Sequence, residues 1–178
     1  MRNERAYNYE EEAEISESLR RAKRLCGQLN QTLSGTAEYR AVLRELIPGV
    51  PDDSEIMPPF FCDHGHGIRM GHNVFLNHNC VALDGGYITF GDNVKVGPAC
   101  QFYTPQHPKD YVERRGPVET AHPIDIGEDT WLGGGVIVCP GVSIGKRCIV
   151  AAGSVVVRDI PDDCLAAGNP AEVKKRLR

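Results

Sequence analysis

The sequence has no long apolar run: none of its hydrophobic segments approaches the roughly 18 residues that indicate a membrane-spanning helix. Its first residues are rich in arginine and glutamate and lack the apolar core of a secretory signal peptide, so we expect a cytoplasmic protein. The net charge is only −4, which gives no indication of a nucleic-acid partner. The 178 residues suffice for one domain with a sizeable core.

Disulfide bonds are also poorly supported by the composition. The cysteines number seven, an odd count. Cys80, Cys100 and Cys148 occupy positions that the repeat described below assigns to the apolar core, where cysteine acts as a small hydrophobic residue. We therefore expect reduced thiols, as is usual inside cells.

Two segments resemble ligand-binding motifs, but their residue spacing does not fit the ligands concerned. His66, His72 and His78 are spaced by six residues, which places them on successive faces of a repeating coil. Zinc ligands must converge within about 2.1 Å of the ion, so we expect no metal site within one chain. The segment from Gly141 to Arg147 resembles a P-loop, but it is one residue short and lacks Ser or Thr after Lys146.

A six-residue repeat organises the chain between Ile124 and Val156. This period matches neither the 3.6 residues of an α-helix nor the alternation of a long strand. It is typical of short strands separated by tight bends, three of which close a triangular turn of about 18 residues. The sequence therefore predicts an all-β solenoid with one apolar column inside. The aliphatic residues of that column are Ile126, Leu132, Val138, Ile144, Val150 and Val156.

The same period runs upstream to about residue 60, with one interruption. Residues 106–123 are polar, contain several prolines and show no repeat, yet the pattern resumes in phase at Ile124. A long loop that leaves a regular coil is usually functional, although a tolerated insertion is the alternative. We divide the chain into a helical segment with a linker (1–59), the coil with its extended loop (60–160) and a C-terminal turn with a short basic helix (161–178).

The terminal segments are predicted to be helical. Residues 10–30 have an apolar stripe at helical spacing, and Thr36 can cap a second helix that Pro48 and Gly49 end. Residues 50–59 are rich in proline and aspartate and read as a linker. Pro170 occupies a typical first helical position, which predicts a helix to the C-terminus.

Several short motifs accompany the repeat. They are Phe61-Cys-Asp-His-Gly, Asn77-His-Asn-Cys, Gln106-His-Pro, Thr130-Trp-Leu-Gly-Gly-Gly and Ala167-Gly-Asn-Pro-Ala. These motifs resemble those of hexapeptide-repeat acyltransferases, and most of all those of maltose and galactoside O-acetyltransferases. The resemblance implies a left-handed parallel β-helix, a homotrimer with sites between subunits, acetyl-CoA as co-substrate and a saccharide as acceptor. It also implies that the N-terminal helices cover part of the acceptor site.

The resemblance also implies roles for individual residues. His107, within Gln-His-Pro, would be the general base that takes a proton from a sugar hydroxyl, a task that suits imidazole at neutral pH. The backbone N–H of Gly134 would stabilise the oxyanion. The acceptor would meet Asp63, Asn77, Asp84, Gly85 and Glu119. Acetyl-CoA would meet Asn77, Trp131, Gly134, Ala152, Val157, Arg158 and Lys175.

Some of these assignments have structural alternatives. Asn77 is also a normal residue for a left-handed turn, and Gly134 is also a normal bend glycine. Trp131 could pack on the loop instead of on a ligand. Glu119 could orient His107, touch the acceptor or be a solvated charge.

The sequence departs from the family pattern at three positions. Glu172 stands where the family has an arginine, and Gly85 stands where some relatives have an aspartate, which Asp84 could replace. Tyr9 lies near the position of an acidic acceptor contact in galactoside-type relatives. The difference at Tyr9 favours a maltose-like or other saccharide over a galactoside.

Two other functions share this architecture. A zinc enzyme of the γ-carbonic-anhydrase kind has the same coil and places three histidines at a subunit interface. A non-catalytic β-helix scaffold would have no need of His107 or of the extended loop.

Overall fold

The computed structural model describes residues 6–8 and 13–178. Two α-helices stand at the start of its continuous part, α1 (Ala13–Leu29) and α2 (Ala37–Leu46). The buried residues of α1 are Ala22, Leu25, Cys26 and Leu29, which confirms the predicted apolar stripe. No helix in the described part of the chain is long and apolar enough to cross a membrane.

The second helix is capped as the sequence predicts and is tied to the solenoid. The N–H of Tyr39 donates to the side-chain oxygen of Thr36 (3.2 Å). The hydroxyl group of Tyr39 is buried, donates to the carbonyl of Ile56 (2.8 Å) and accepts from its N–H (3.0 Å). This double hydrogen bond fixes α2 against the first strand of the coil.

The solenoid is formed by three stacked parallel sheets, which we name faces A, B and C. Face A contains β4 (Ile68–Met70), β7 (Ile88–Phe90), β12 (Ile124–Ile126) and β15 (Ser143–Ile144). Face B contains β2 (Glu55–Ile56), β5 (Phe75–Leu76), β8 (Lys95–Val96), β13 (Trp131–Leu132), β16 (Ile149–Val150) and β18 (Cys164–Gly168). Face C contains β3 (Phe60–Cys62), β6 (Cys80–Leu83), β9 (Gln101–Tyr103), β14 (Ile137–Val138) and β17 (Val155–Val156). Corner BC is the bend from face B to face C, and corner CA is the bend from face C to face A.

The predicted apolar column fills the interior. All six of its aliphatic residues between Ile126 and Val156 are buried. Upstream, Phe90 and Phe102 pack edge to face, with ring centroids 5.0 Å apart. The bends include Asn73, Asn93 and Asp129 with positive φ, a conformation that these residue types tolerate well.

The interrupted stretch leaves the coil without disturbing its register. Ile88 pairs in parallel with Ile68 on one side and with Ile124 on the other, although the second step spans the insertion. The insertion contains β10 (Pro105–Gln106), a 3₁₀ turn (Glu113–Arg115) and β11 (Val118–Ala121). Strand β11 pairs antiparallel with both β10 and β1 (Ala6–Asn8). The extended loop therefore folds back on itself through β10 and β11, and β1 adds a third antiparallel strand.

The coil begins earlier than the sequence suggested. Ile56 is fully buried and pairs with Leu76, so β2 already belongs to face B, within the stretch predicted as a linker. The residues around Ile56 are rich in proline and aspartate, so the local composition did not indicate that this one aliphatic residue points inward.

The predicted C-terminal helix is wrong. Residues Ala171–Arg176 form strand β19, which pairs antiparallel with β18. A helix of eight residues is marginal in water, whereas β18 is the last strand of face B and offers unpaired backbone groups along its edge. Pairing with β19 satisfies those groups.

The close stacking of the turns predicts a strong effect of adding one methyl group at Gly127. A Cβ at Gly127 would lie 2.6 Å from the backbone of Gly145 and Lys146 in the next turn. We expect Gly127→Ala to reduce the free energy of unfolding by about 1–3 kcal/mol. Gly27→Ala in α1 is the matched control, because that Cβ meets nothing within 4 Å, and it should increase stability by about 0.5–1 kcal/mol. Urea unfolding measures both, and equal effects would contradict this packing.

Candidate functional site

His107, the candidate general base predicted from the sequence, lies at the base of the extended loop at corner CA. It directly follows β10, and its side chain is 54% exposed. Its Nε2 lies 3.4 Å from Oε1 of Glu119 on β11, whose side chain is largely buried. Because β10 and β11 pair with each other, the loop brings together two residues that are well separated in sequence. The imidazole therefore faces solvent with a carboxylate beside it.

Asp63 lies at the same corner, directly after β3. It is half-buried, and burial raises its pKa to about 6, with further contributions from the negative charges of Asp84 and Glu119. The charge of Glu119 raises the pKa of Asp63, so Asp63 interacts electrostatically with the loop that holds His107. Three carboxylates and one imidazole thus share corner CA.

Asp84 has a different environment from the other two carboxylates. It is 2% exposed, and its Oδ1 accepts hydrogen bonds from the backbone N–H groups of Asp63 (3.1 Å) and His64 (2.8 Å). Its Oδ2 accepts from the N–H of Gly67 (3.0 Å). The carboxylate therefore shapes the loop at residues 63–67, while the adjacent Gly85 is half-buried at the same corner.

Three of the residues assigned to acetyl-CoA lie at corner BC instead. Asn77 follows β5, Gly134 follows β13 and Ala152 follows β16, so they stack along the solenoid axis. The side-chain oxygen of Asn77 accepts from the N–H of His78 (2.8 Å), as a turn asparagine does. A Cβ at Gly134 would lie 3.3 Å from Cδ of Pro98, so the wall of this corner is already tight.

The remaining predicted contacts lie farther along the coil. Val157 and Arg158 follow β17 at corner CA and are exposed. Lys175 is exposed on β19, opposite Leu165 of β18. Trp131 is 54% exposed on the outside of face B, beside a depression of about 680 Å³ that Arg147 and Leu177 also line.

Sequence reasoning missed a cluster between α1 and the loop that follows β3. The hydroxyl oxygen of Ser18 lies 2.9 Å from Nδ1 of His64 and 3.4 Å from Nδ1 of His66. Burial lowers the pKa of His64, which favours the neutral ring. A depression of about 590 Å³ beside His66 is lined by α1 and Pro48. The three residues have no local spacing in common that could have revealed them.

The other histidines of the six-residue series lie apart from this cluster. His72 is 3.1 Å from Asp53, and Nδ1 of His78 contacts the carbonyl oxygen of Pro58. The described residues contain no group of three or more His, Cys, Asp or Glu side chains that could hold a metal ion. Tyr9, considered above as an acceptor contact, lies outside the described residues.

Comparison with known proteins identifies the family. Residues 123–158 match the family model described as bacterial transferase hexapeptide (six repeats). A provisionally named acetyltransferase of Staphylococcus aureus is 42% identical over 178 residues, covering 99% of this chain and 89% of the relative.

Two solved structures are similar over nearly the whole chain. One is a hexapeptide-repeat acetyltransferase of Vibrio cholerae in complex with acetyl-CoA (TM-score 0.90, 43% identity, 94% of this chain and 91% of that one). The other is a maltose O-acetyltransferase of Clostridium difficile (TM-score 0.93, 36% identity, 98% of this chain and 93% of that one).

The raised pKa of Asp63 predicts a pH-dependent stability difference between the wild type and Asp63→Asn. The native state holds the Asp63 proton up to about pH 6, whereas an unfolded chain releases it near pH 4. Stability of the wild type is therefore lost as the pH rises from about 4 to 6, by at most about 3 kcal/mol in total, and the asparagine variant avoids this cost. We expect Asp63→Asn to be the more stable protein at pH 7.5 and the difference to shrink as the pH falls to 4.5. Thermal unfolding across this range checks it, and a difference independent of pH would contradict it.

Proposed function

The chain belongs to the hexapeptide-repeat family of acetyl-CoA-dependent acetyltransferases, and we propose that it acetylates a hydroxyl group of a saccharide with His107 as the general base. The observation that carries the proposal is the half-exposed imidazole of His107 beside the carboxylate of Glu119. The likeness to a maltose O-acetyltransferase supports a saccharide as the acceptor. Family membership also disfavours the zinc-hydratase and scaffold alternatives.

The proposed reaction is a direct transfer. His107 takes the proton from the sugar hydroxyl, and the hydroxyl oxygen attacks the thioester carbonyl carbon of acetyl-CoA. The C–O bond forms, the C–S bond breaks, and the CoA sulfur leaves and recovers a proton from the imidazolium. Glu119, 3.4 Å from the ring, would orient the imidazole and stabilise its charged form during this step. The N–H of Gly134 would donate to the oxyanion.

The acetyl-CoA groove would run along the solenoid axis. The assigned residues follow one another in the order of the stacked strands of face B: Asn77 after β5, Gly134 after β13, Ala152 after β16 and Lys175 beside β18. Neighbouring strands in a sheet are about 4.8 Å apart, so these positions span roughly 20 Å, which suits an elongated ligand. The exposed cation Lys175 would meet the phosphates at one end of this groove, whereas Arg158, at corner CA, would reach them from a neighbouring copy.

The acceptor would bind at corner CA. Asp63 is half-buried there and, with a pKa of about 6, can present a carboxylate to a sugar hydroxyl at neutral pH. Asp84 would act indirectly, because both of its oxygens already accept backbone hydrogen bonds from residues 63–67. The polar groups around His107 therefore favour a polyhydroxylated acceptor.

The separation of the two corners supports a site between subunits of a homotrimer. His107, Asp63 and Glu119 belong to corner CA, whereas Asn77 and Gly134 belong to corner BC, and the width of face C lies between them. The outside of face C carries a mainly apolar column that a neighbouring copy could cover, in which Gln101 is the central residue. Its other members, in register, are Phe61, Val81, Ile137 and Val155. A neighbour's corner BC would then complete the site at corner CA.

Loss of the proposed base should reduce turnover without unfolding the protein. We expect His107→Ala to lower kcat by roughly 10²–10⁴, the usual contribution of a general base. The matched control is His72→Ala, since His72 is also exposed but lies at a different bend. The assay is acetyl-CoA-dependent thiol release over a panel of mono- and disaccharides, together with the melting temperature.

The two possible outcomes differ clearly. A catalytic His107 gives a large loss of kcat with an unchanged melting temperature. A kcat within threefold of the wild type would refute the proposed role.

A further inference from the structure

The described residues contain a pair of thiols that the proposed reaction does not use. Cys26 lies on α1 and Cys62 is the last residue of β3, and their sulfur atoms are 3.6 Å apart. Cys26 is almost fully buried, whereas Cys62 is half-buried. All seven cysteines are free thiols in this structure.

The two elements that hold these thiols are fixed against each other. The side-chain amide of Asn30, just after α1, donates to the carbonyl of Phe60 (3.0 Å), and its oxygen accepts from the N–H of Phe60 (2.7 Å). This double hydrogen bond joins the end of α1 to the start of β3. The sulfur atoms therefore face each other across a rigid contact and not across a mobile one.

The paired arrangement also changes the acidity of both thiols. The S–H group of one can donate to the thiolate of the other, which lowers the pKa of Cys26. Removal of the second proton is opposed by that thiolate and by burial, which raises the pKa of Cys62. The pair therefore releases one proton more readily than an isolated buried thiol does, and the thiolate is the reactive form.

We propose that Cys26 and Cys62 form a dithiol modification site, in which a peroxide creates an intramolecular disulfide between α1 and β3. One sulfur, as thiolate, attacks a peroxide oxygen: the S–O bond forms, the O–O bond breaks and water leaves after protonation. The second sulfur then attacks the sulfenic acid: the S–S bond forms, the S–O bond breaks and a second water leaves. Two thiols are oxidised and one peroxide is reduced. The sulfur atoms need to approach by only about 1.5 Å to reach bonding distance.

A second cysteine pair in the chain provides an internal comparison. Cys80 and Cys100 lie inside the solenoid, are fully buried, and donate their S–H groups to the carbonyls of Gly97 (3.5 Å) and Gly133 (3.1 Å). A peroxide has no access to that pair in the folded protein. Peroxide should therefore oxidise Cys26 and Cys62 in preference to Cys80 and Cys100, because only the first pair includes a thiol that is partly accessible. This selectivity does not depend on the proposed transferase reaction.

The test is peptide mapping of the full chain after treatment with hydrogen peroxide and alkylation of the remaining thiols. We expect a linked peptide joining Cys26 to Cys62, a mass lower by two hydrogen atoms, and free Cys80 and Cys100. Closing a long loop should also raise the melting temperature, by about 5–10 °C, and a reductant should reverse the change. Phenylarsine oxide, which bridges paired thiols, should bind the wild type and prevent the disulfide.

Single cysteine-to-serine variants test whether both thiols are required for the linked peptide. Cys26→Ser and Cys62→Ser should each abolish the linked peptide, whereas Cys139→Ser, which removes another half-buried thiol, should retain it. The mapping of the wild type stands even where a variant folds poorly. Absence of the linked peptide, or conversion of Cys62 to a sulfinic acid while Cys26 remains free, would overturn the proposal.

Discussion

The structure depends on parallel pairing between strands that are mostly two or three residues long. Leu132, for example, is flanked by Val96 in one neighbouring turn and by Val150 in the other, and all three point into the interior. No strand of this length is stable alone, so each turn is stabilised by the turns that it stacks on. The bends must therefore return the chain in register every time, which is why a Cβ at Gly127 would collide with the next turn.

The same constraint determines where chemistry can occur. The interior is filled by apolar side chains, and an insertion must leave and rejoin the coil at neighbouring points, as β10 and β11 do. Functional side chains are thereby restricted to the corners, the loop and the outer surfaces of the faces. At corner CA, Asp84 holds the 63–67 backbone, so Asp63, Glu119 and His107 are the side chains that we propose to act on the acceptor.

The sequence predicted the parts of the fold that follow from its six-residue period. The inward aliphatic residues, the projecting loop and the cap of α2 by Thr36 are as expected, because each depends on local pattern. Ile56 was missed because one inward residue shows no period. The β19 strand was missed because its conformation is set by the edge of β18 and not by its own residues.

The candidate site was predicted only in part, for a similar reason. His107 could be singled out because it lies at the break in the repeat and within a Gln-His-Pro motif that resembles that of the family. Its contact with Glu119 depends on the way the loop folds back, and the contacts of Ser18 with His64 and His66 join segments distant in sequence. Local sequence carries no signal for such contacts. The division of the predicted residues between two corners likewise appears only when the turns are stacked.

The central claim is that a complete site combines corner CA of one copy with corner BC of another. Subunit complementation between His107→Ala and Asn77→Ala tests it most directly. Each variant alone should be nearly inactive. After the two are dissociated, mixed in equal amounts and reassembled, about a quarter of the sites should join an intact His107 to an intact Asn77 in neighbouring subunits. The account predicts recovery of about that fraction of wild-type activity, with no recovery when the variants are assembled separately and then mixed. No recovery in the co-assembled mixture would show that both residues act within one chain, and would contradict the account.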